Sequence, residues 1–263
     1  MKNYPLLPAA AILQKVSTPE VLAVLNACMS ADVPVKRCAA ESLEQYAVDL
    51  RNGALPVGSV EFVREAMHTT GLIEPEWSCY PISLQKYFHR TIQRGKRREI
   101  VDICFVKPVT TKLFDGFVLD PDSISAPEDV HTALQWSTLN ALDSETELWI
   151  AEPVEFISEW RYYVTNGRLV ARARYDQHGC EQAPQPNPSI VADAVLEVWG
   201  ELGHSFALDM GVLSNGETAL VEVNDAWAIG RYGGSITPRA YLEFLQSRWA
   251  DIASQPQVLE KIA

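Results

Sequence analysis

The sequence lacks the short motifs by which many nucleotide sites and catalytic nucleophiles are recognised. It has no G-x-x-x-x-G-K-[ST] phosphate loop, no G-x-G-x-x-G dinucleotide loop and no G-x-S-x-G nucleophile turn. If the protein binds phosphate, side chains must hold it. The five cysteines include no C-x-x-C pair, which is typical of reduced thiols rather than of a zinc site or a disulfide framework.

Cations and long apolar runs are also scarce. Lysine and arginine total 22 against 34 acidic residues, so the net charge of -12 disfavours binding to nucleic acids or to anionic membranes. No apolar run approaches the roughly 18 residues of a membrane helix. The 263 residues are 47% hydrophobic and 21% charged, which favours a folded core over disorder. We therefore expect a globular, cytoplasmic protein that binds neither nucleic acid nor membrane.

A first β-hairpin is predicted over residues 206–224. Asn215 and Gly216 stand between two runs of alternating apolar and polar residues, the pattern of a two-residue turn. This register predicts that Asp209 lies directly opposite Glu222. The opposite face of the hairpin is then apolar, which is typical of a sheet packed on a core.

The polar face of this hairpin would concentrate negative charge. Asn224 falls on the same face as Asp209 and Glu222, and like charges directly opposite on a sheet repel. A cation is therefore expected between the carboxylates, and an all-oxygen ligand set suits Mg²⁺. A solvated acidic face beside a lysine or an arginine is the alternative interpretation.

A second hairpin is predicted over residues 157–175, with Asn166-Gly167 at its turn. The two-residue register predicts Glu159 opposite Arg174 and Arg161 opposite Arg172. Three guanidinium groups and one carboxylate would then share a face, which favours binding of an anion. A surface ladder of salt bridges is the alternative interpretation.

Two lysines could supply the phosphate contacts for which no glycine loop exists. Lys107 follows the strand-like apolar run at 101–106, and Lys112 comes five residues later. One hairpin thus offers a cation site, the other offers an anion site, and these lysines add positive charge. Together they are typical of Mg²⁺-nucleotide chemistry.

Several segments in this order resemble the ATP-grasp superfamily. They include the run 105–108 with the lysine-containing 112–116, the hinge-like 152–154, the run 159–161, Asp209 with 222–224, and the glycine-flanked 230–233. The sequence is most similar to the divergent arginine-to-lysine clade of that superfamily, which includes bacterial and phage proteins. The resemblance extends from about Gly58 to Trp249.

The resemblance implies an α+β chain with the ATP-grasp fold, in which two α+β lobes clamp ATP. A small N-terminal α/β lobe would precede them at residues 1–78. The ATP-grasp domain would cover residues 79–263, with the small lobe at 79–150 and the metal-binding lobe at 151–263.

The resemblance also implies roles for individual residues. Lys107 would contact the phosphates, Glu152 and the backbone of Val154 the adenine, and Glu159 the ribose. Mg²⁺ with its ATP would be held by Asp209, Glu222 and Asn224. Many relatives have an arginine two residues before the metal-binding aspartate, but this chain has Ala207 there. The missing cation could be replaced by Lys112, Arg161, Arg172 or Arg174.

Such a site implies an enzyme, an ATP- and Mg²⁺-dependent carboxylate-amine ligase that acts through an acyl phosphate and releases ADP and phosphate. Its partners would be ATP, a carboxylate substrate and an amine acceptor, with a peptide or a protein as one candidate. Two alternatives remain open at this point. The chain could be a non-catalytic, ATP-bound assembly factor for a protein partner, or a phosphotransferase.

Overall fold

A computed structural model describes the chain over residues 7–110, 113–121, 130–176, 182–233 and 236–254. These residues fold around three β-sheets. No helix within these ranges is both long enough and apolar enough to cross a membrane.

The N-terminal part forms a parallel sheet with helices between its strands. Its strands are β1 (Ala11–Gln14), β2 (Val35–Cys38) and β3 (Leu55–Val57). Its helices are α1 (Pro19–Ser30), α2 (Ala47–Arg51) and α3 (Val60–Thr70). The strand order is β2-β1-β3. Parallel neighbours need such crossover connections because each strand must return to the same end of the sheet.

The second sheet is antiparallel, with the order β4-β7-β5-β6 once its strands are numbered along the chain. These strands are β4 (Ile92–Lys96), β5 (Cys104–Pro108), β6 (Phe117–Leu119) and β7 (Glu147–Ala151). Helix α4 (Val130–Asn140) contributes to its core through Leu139. Lys107 lies on the central strand β5, where the flanking Val106 is fully buried and anchors the strand.

The third sheet is also antiparallel and carries both predicted hairpins. Its strands are β8 (Phe156–Thr165), β9 (Arg168–Arg174), β10 (Ser205–Leu213) and β11 (Thr218–Asp225). The order is β11-β10-β8-β9. Two helices pack on it, α5 (Pro188–Leu202) and α6 (Pro238–Ala253).

The two faces of the third sheet belong to different cores. Tyr162 and Leu208 pack with α5, whereas Tyr163 and Ala207 pack with α6 and with the N-terminal sheet. Adjacent residues of a strand point to opposite faces, so a single strand serves both cores. The face of Tyr163 and Ala207 also carries Asp209 and Arg161, because each lies two positions along its strand.

The predicted α+β class is confirmed, including a small α/β unit at the N-terminus. The three sheets follow one another along the chain much as the predicted lobes do, although β7 runs to Ala151, one residue past the expected end of the small lobe. The lobe boundaries themselves stay a prediction.

Candidate functional site

The second and third sheets enclose a cavity of about 850 Å³. Lys107 reaches it from the second sheet, and Glu159, Arg161, Glu222 and Asn224 reach it from the third. Glu152 and Val154 line it at the connection between the two sheets. Most of the residues predicted from the sequence are therefore brought together in one cleft. Lys112 lies outside the described residues.

The first hairpin has the predicted pairing where it matters for the site. Asp209 lies directly opposite Glu222, and Ala207 lies opposite Asn224. The predicted turn is wrong, however. The Leu213 amide donates to the Glu217 carbonyl across a three-residue loop, in which Gly216 takes a positive φ of 87°.

A β-bulge restores the register of this hairpin before it reaches the site. Near the turn, Gly211 pairs with Ala219 and Met210 with Leu220, one residue away from the predicted pairing. The register shifts between Asp209 and Met210, because one extra residue of β11 is left unpaired there. The longer loop and the bulge compensate each other, so the carboxylates face as expected.

The two carboxylates of the hairpin are linked by an amide. The Nδ2 of Asn224 donates to Asp209 Oδ2 at 3.0 Å and to Glu222 Oε1 at 2.8 Å. The Nζ of Lys107 forms an ion pair with Glu222 across the cleft. This pair joins the second sheet to the third at the place where the sequence predicted a cation.

Arg161 supplies the second cation. It lies directly opposite Asp209 on β8, and both residues are almost completely buried. Its Nε donates to Oδ1 at 2.9 Å and its Nη2 donates to Oδ2 at 2.6 Å. Burial alone would lower the pKa of Arg161, but the charge and hydrogen bonds of Asp209 outweigh it and raise that pKa, so the guanidinium remains charged.

Two tyrosine rings complete the surroundings of Arg161. Its guanidinium carbon lies 4.8 Å from the ring centre of Tyr232 and 5.5 Å from that of Tyr175. The two rings stack, with centres 5.1 Å apart. Burial, followed by the charges of Asp209 and Glu159, raises the pKa of Tyr175 well above its ordinary value, so this phenol stays neutral.

Neither tyrosine is among the site residues predicted from the sequence. Tyr232 lies in the glycine-flanked run 230–233 that formed part of the resemblance, and this was the available signal. The hydroxyl of Tyr163 holds the run by donating to the Gly230 carbonyl at 3.1 Å and accepting from the Tyr232 amide at 3.0 Å. Tyr175 directly follows β9, a strand in which most residues face the side of the sheet opposite to the predicted one.

The second hairpin starts in the predicted register and then leaves it. Asn166 and Gly167 have φ values of 51° and 69°, as a two-residue turn with both central residues left-handed requires. Thr165 pairs with Arg168 and Val164 pairs with Leu169, as predicted. The register then shifts between Tyr163 and Val164, and every later residue of β9 changes its face.

The expected cluster of three arginines is therefore wrong. Arg161 lies opposite Ala173 rather than Arg172, and Arg172 lies opposite Tyr162 on the other face of the sheet. Arg174 lies opposite Trp160, and the Tyr175 amide bonds to the Glu159 carbonyl.

Arg174 pairs with the carboxylate of Asp176, two positions further along the chain. Its guanidinium donates twice to Asp176, at 2.7 and 2.6 Å. The same carboxylate accepts from the backbone amide of Glu159 at 2.9 Å. Of the three arginines, Arg161 is the one that lines the large cavity.

The connection between the sheets fixes the backbone beside the cavity. The carboxylate of Glu152 accepts from the Thr91 amide at 2.6 Å, and the Glu152 amide donates to the Thr91 carbonyl at 3.0 Å. The bond from the Thr91 amide lowers the pKa of the Glu152 carboxyl, so it carries a full negative charge at neutral pH. Arg90, the residue before Thr91, is itself anchored to the third sheet, because its guanidinium donates to the carbonyls of Leu220 and Val221.

The donor set of the first hairpin suits a hard divalent cation in its chemistry. Asp209 and Glu222 offer carboxylate oxygens and Asn224 an amide oxygen, the ligand types of Mg²⁺. The described residues contain no group of three histidine, cysteine or acidic side chains that could hold a metal, so these ligands would need the amide or a phosphate to complete the set. Arg161 and Lys107 already balance both carboxylates.

Residues 85–244 match the family model described as "ATP-grasp domain, R2K clade family 2". No curated protein matches the chain in sequence.

Several solved structures are similar to the chain in fold. One is PsnB, described as an ATP-grasp ligase complexed with a variant of its minimal precursor, Mg and ADP; it is 12% identical, with 95% of this chain and 99% of that chain covered at a TM-score of 0.51. The macrocyclase MdnC from Microcystis aeruginosa MRC, bound with its precursor peptide MdnA, is also 12% identical, with coverages of 90% and 98% and a TM-score of 0.51. D-alanine--D-alanine ligase from Bacillus anthracis is 10% identical, with coverages of 93% and 96% and a TM-score of 0.50. At these identities the likeness concerns the fold.

Proposed function

This chain belongs to family 2 of the R2K clade of ATP-grasp domains, and on that premise we propose that it is an ATP- and Mg²⁺-dependent carboxylate-amine ligase. The observation that carries the proposal is the arrangement at the cleft. Lys107 from the second sheet meets Glu222 from the third, next to the buried pair of Asp209 and Arg161. Charged groups of both signs thus converge from both sheets on one cavity of about 850 Å³.

ATP would lie along this cleft. Lys107 would bind the phosphates. To do so it would leave Glu222, whose carboxylate would then be free to bind the metal. Glu152 and the backbone of Val154 would bind the adenine, and Glu159 would bind the ribose. The bond from Thr91 holds Glu152 in place for this role.

The metal ligands would be Asp209, Glu222 and Asn224. When bound, Mg²⁺ and ATP would supply charge neutralisation and the phosphoryl group that is transferred. Glu222 and Asn224 line the cavity directly, whereas Asp209 is fully buried behind its bonds to Arg161. We therefore propose Glu222 and Asn224 as the first contacts of the metal.

Arg161 would serve as the cation that Ala207 does not provide. It lines the cavity beside Asp209, and its charge is secured by that carboxylate. From this position it would stabilise negative charge that develops on a transferring phosphoryl group. Lys112 remains a second candidate for the same role.

The proposed chemistry has two steps. A substrate carboxylate oxygen attacks the γ-phosphorus of ATP, the bond from that phosphorus to the bridging oxygen breaks, and ADP leaves. An amine then attacks the acyl carbon, the phosphate leaves with its oxygen, and the nitrogen loses a proton. Exclusion of water by the cleft would protect the acyl phosphate between the steps.

A peptide or a protein is the substrate we propose. PsnB and MdnC, whose folds are similar to that of this chain, are described in complex with precursor peptides. A peptide can offer both a carboxylate and an amine in its side chains. We also propose the lobes 1–78, 79–150 and 151–263 as structural units, and a cytoplasmic location for the enzyme.

The test uses a pool of synthetic peptides that carry aspartate, glutamate and lysine. With ATP and Mg²⁺, we expect peptide-dependent release of ADP and free phosphate, and hydroxylamine should trap the activated carboxylate as a hydroxamate that mass spectrometry detects. The Asp209→Asn variant should release neither ADP nor free phosphate. Failure of the wild-type protein to bind AMPPNP with Mg²⁺ would contradict the nucleotide site itself.

One observation favours a second candidate, a non-catalytic assembly factor that is loaded with ATP. Arg161 occupies both oxygens of Asp209, and a site that keeps this pair would bind nucleotide without completing its metal set. That candidate requires ATP binding without ADP release, and capture of a protein partner that depends on nucleotide. Label transferred from ATP to the acceptor, without free phosphate, would instead indicate a phosphotransferase.

A further inference from the structure

The guanidinium of Arg161 has one nitrogen that Asp209 does not use. Its Nε and Nη2 both donate to Asp209, whereas its Nη1 forms no hydrogen bond with any residue that the structure describes. Arg161 is only 5% exposed, and it lines the large cavity. A largely buried guanidinium is stable only when its N–H groups find acceptors. The Nη1 of Arg161 therefore favours a ligand that supplies one.

A hydroxyl lies on the other side of the same space. Tyr232 is exposed to the large cavity, and within the described part of the chain its hydroxyl forms no hydrogen bond. A methyl carbon placed on Gly230 would lie 3.8 Å from Arg161 Nη1 and 3.8 Å from Tyr232 Oη. We call this space the Gly230 corner. Two hydrogen-bond donors flank it, and the missing side chain of Gly230 leaves it open.

The loop that forms this corner is fixed by side chains from three elements. The hydroxyl of Tyr163 on β8 bonds to both of its ends. Tyr241 of α6 donates to the carbonyl of Ile229 at 2.6 Å, and the amide of Arg231 donates to Glu20 of α1 at 2.8 Å. A loop that is already ordered loses little conformational entropy when it binds a ligand. The two donors are therefore positioned before any ligand arrives.

We propose that the Gly230 corner binds the carboxylate of the acyl donor, and that Tyr232 is a specificity-determining residue for it. The Nη1 of Arg161 would donate to one carboxylate oxygen, and the hydroxyl of Tyr232 would donate to the other. Gly230 would provide the room for the carboxylate. This inference rests on the proposed ligase function, because that function is what requires a carboxylate substrate.

Position and charge both favour a carboxylate in this corner. One guanidinium group separates the corner from Asp209, so an acid bound there would lie next to the proposed metal site. The corner has a single cation, and that cation already shares its charge with Asp209. Such a site suits a group with one negative charge better than a phosphoryl group with two.

The test measures binding of propionate, a probe for the acid side chains of a peptide, by saturation-transfer NMR on the full-length protein without nucleotide. Its neutral amide, propionamide, is the comparison. We expect propionate to bind with a millimolar dissociation constant and the amide to bind at least about tenfold more weakly, because hydrogen bonds to charged groups are the stronger ones.

Two glycines of the same loop provide a matched pair of variants. Gly230→Ala places a methyl group in the corner and should raise the dissociation constant of propionate by about tenfold or more. The methyl would make contacts of 3.7 Å or longer, and Gly230 has no left-handed backbone, so the fold should be retained. Gly233→Ala adds the same methyl where no described atom lies within 4 Å, and it should leave propionate binding unchanged.

A third variant tests the hydroxyl by itself. Tyr232→Phe keeps the ring that lies 4.8 Å from the guanidinium carbon of Arg161, so a purely structural role of the ring would be preserved. Loss of the hydroxyl should weaken propionate binding severalfold and narrow the preference for the acid over the amide. Circular dichroism verifies the fold of each variant.

Several results would overturn the inference. They are absence of binding at millimolar propionate, equal affinity for acid and amide, and unchanged affinity in a folded Gly230→Ala protein, because the acid would then bind elsewhere. Methyl phosphate that displaces propionate at equal concentration would assign the corner to a phosphoryl group instead. AMPPNP binding with Mg²⁺ is measured separately on the wild-type protein. Its failure would contradict the proposed function, whereas loss of propionate binding alone would overturn only the Gly230 corner.

Discussion

Arg161 and Asp209 lie directly opposite each other on neighbouring strands, and two parallel hydrogen bonds join their buried charges. Neither group could be buried alone, because removing an ion from water costs several kcal/mol. The pair therefore fixes where β8 and β10 meet beside the cleft. It also sets the electrostatics of the proposed metal site, since it neutralises the carboxylate that the metal would need.

Loss of Arg161 should destabilise the fold strongly. Arg161→Met leaves Asp209 buried without its partner, and we expect the free energy of unfolding in urea to fall by about 3 to 5 kcal/mol. The double variant Arg161→Met with Asp209→Leu should recover most of that loss. Arg239→Met, which breaks an exposed pair with Glu243, should cost about 1 kcal/mol or less. Equal costs for the two single variants would contradict the structural role of Arg161.

Loss of Lys107 should weaken nucleotide binding. Lys107→Ala removes the cation that the second sheet brings to the cleft, and we expect the dissociation constant of AMPPNP in the presence of Mg²⁺ to rise by about tenfold or more. Calorimetry measures this change. Lys86→Ala is the control, because Lys86 pairs with Glu197 away from the cavity. An equal change in both variants would argue against a phosphate contact by Lys107.

The carboxylates of the first hairpin should determine the metal requirement. Glu222→Gln keeps the size of the side chain and removes its charge, so half-maximal binding of AMPPNP should require a higher concentration of Mg²⁺. Glu217→Gln changes the same charge at the turn of the same hairpin and should leave the requirement as it is. If both variants show the wild-type Mg²⁺ dependence, Glu222 is not a metal ligand.

The buried thiol of Cys28 should make stability depend on alkaline pH. Burial raises the pKa of Cys28 from 9.0 to about 11. The unfolded chain loses this proton first, so the stabilisation is fully present below pH 9 and is lost as the pH rises through 11. The loss should reach about 2 kcal/mol in the free energy of unfolding. Cys28→Ala should have a shallower slope than the wild-type protein and Cys79→Ala should keep the wild-type slope, as urea titrations between pH 8 and 11 would measure.

The sequence contains an Asn-Gly turn signal in each hairpin, but it predicts the pairing of the strands beyond the turns only in part. The Asn-Gly pair at 166–167 forms the predicted two-residue turn, whereas the pair at 215–216 belongs to a three-residue loop. Each hairpin then contains a bulge. One bulge restored the pairing of Asp209 with Glu222, and the other removed Arg172 from the face of Arg161. A bulge depends on how the sheet packs on its neighbours, and no local sequence pattern specifies it.

The amino-acid sequence by itself determined the Asn-Gly turn of the second hairpin, and it predicted both that Asp209 faces Glu222 and that acidic and basic groups meet in a cleft. These follow from local alternation, charge and residue type. The tertiary structure decided that Arg161 is the cation that faces Asp209, although the two are 48 positions apart in the chain. It also decided that Lys107 from another sheet completes the cluster. Such contacts depend on strand order and on burial, because only the packing of distant segments removes these charges from water and pairs each carboxylate with a cation.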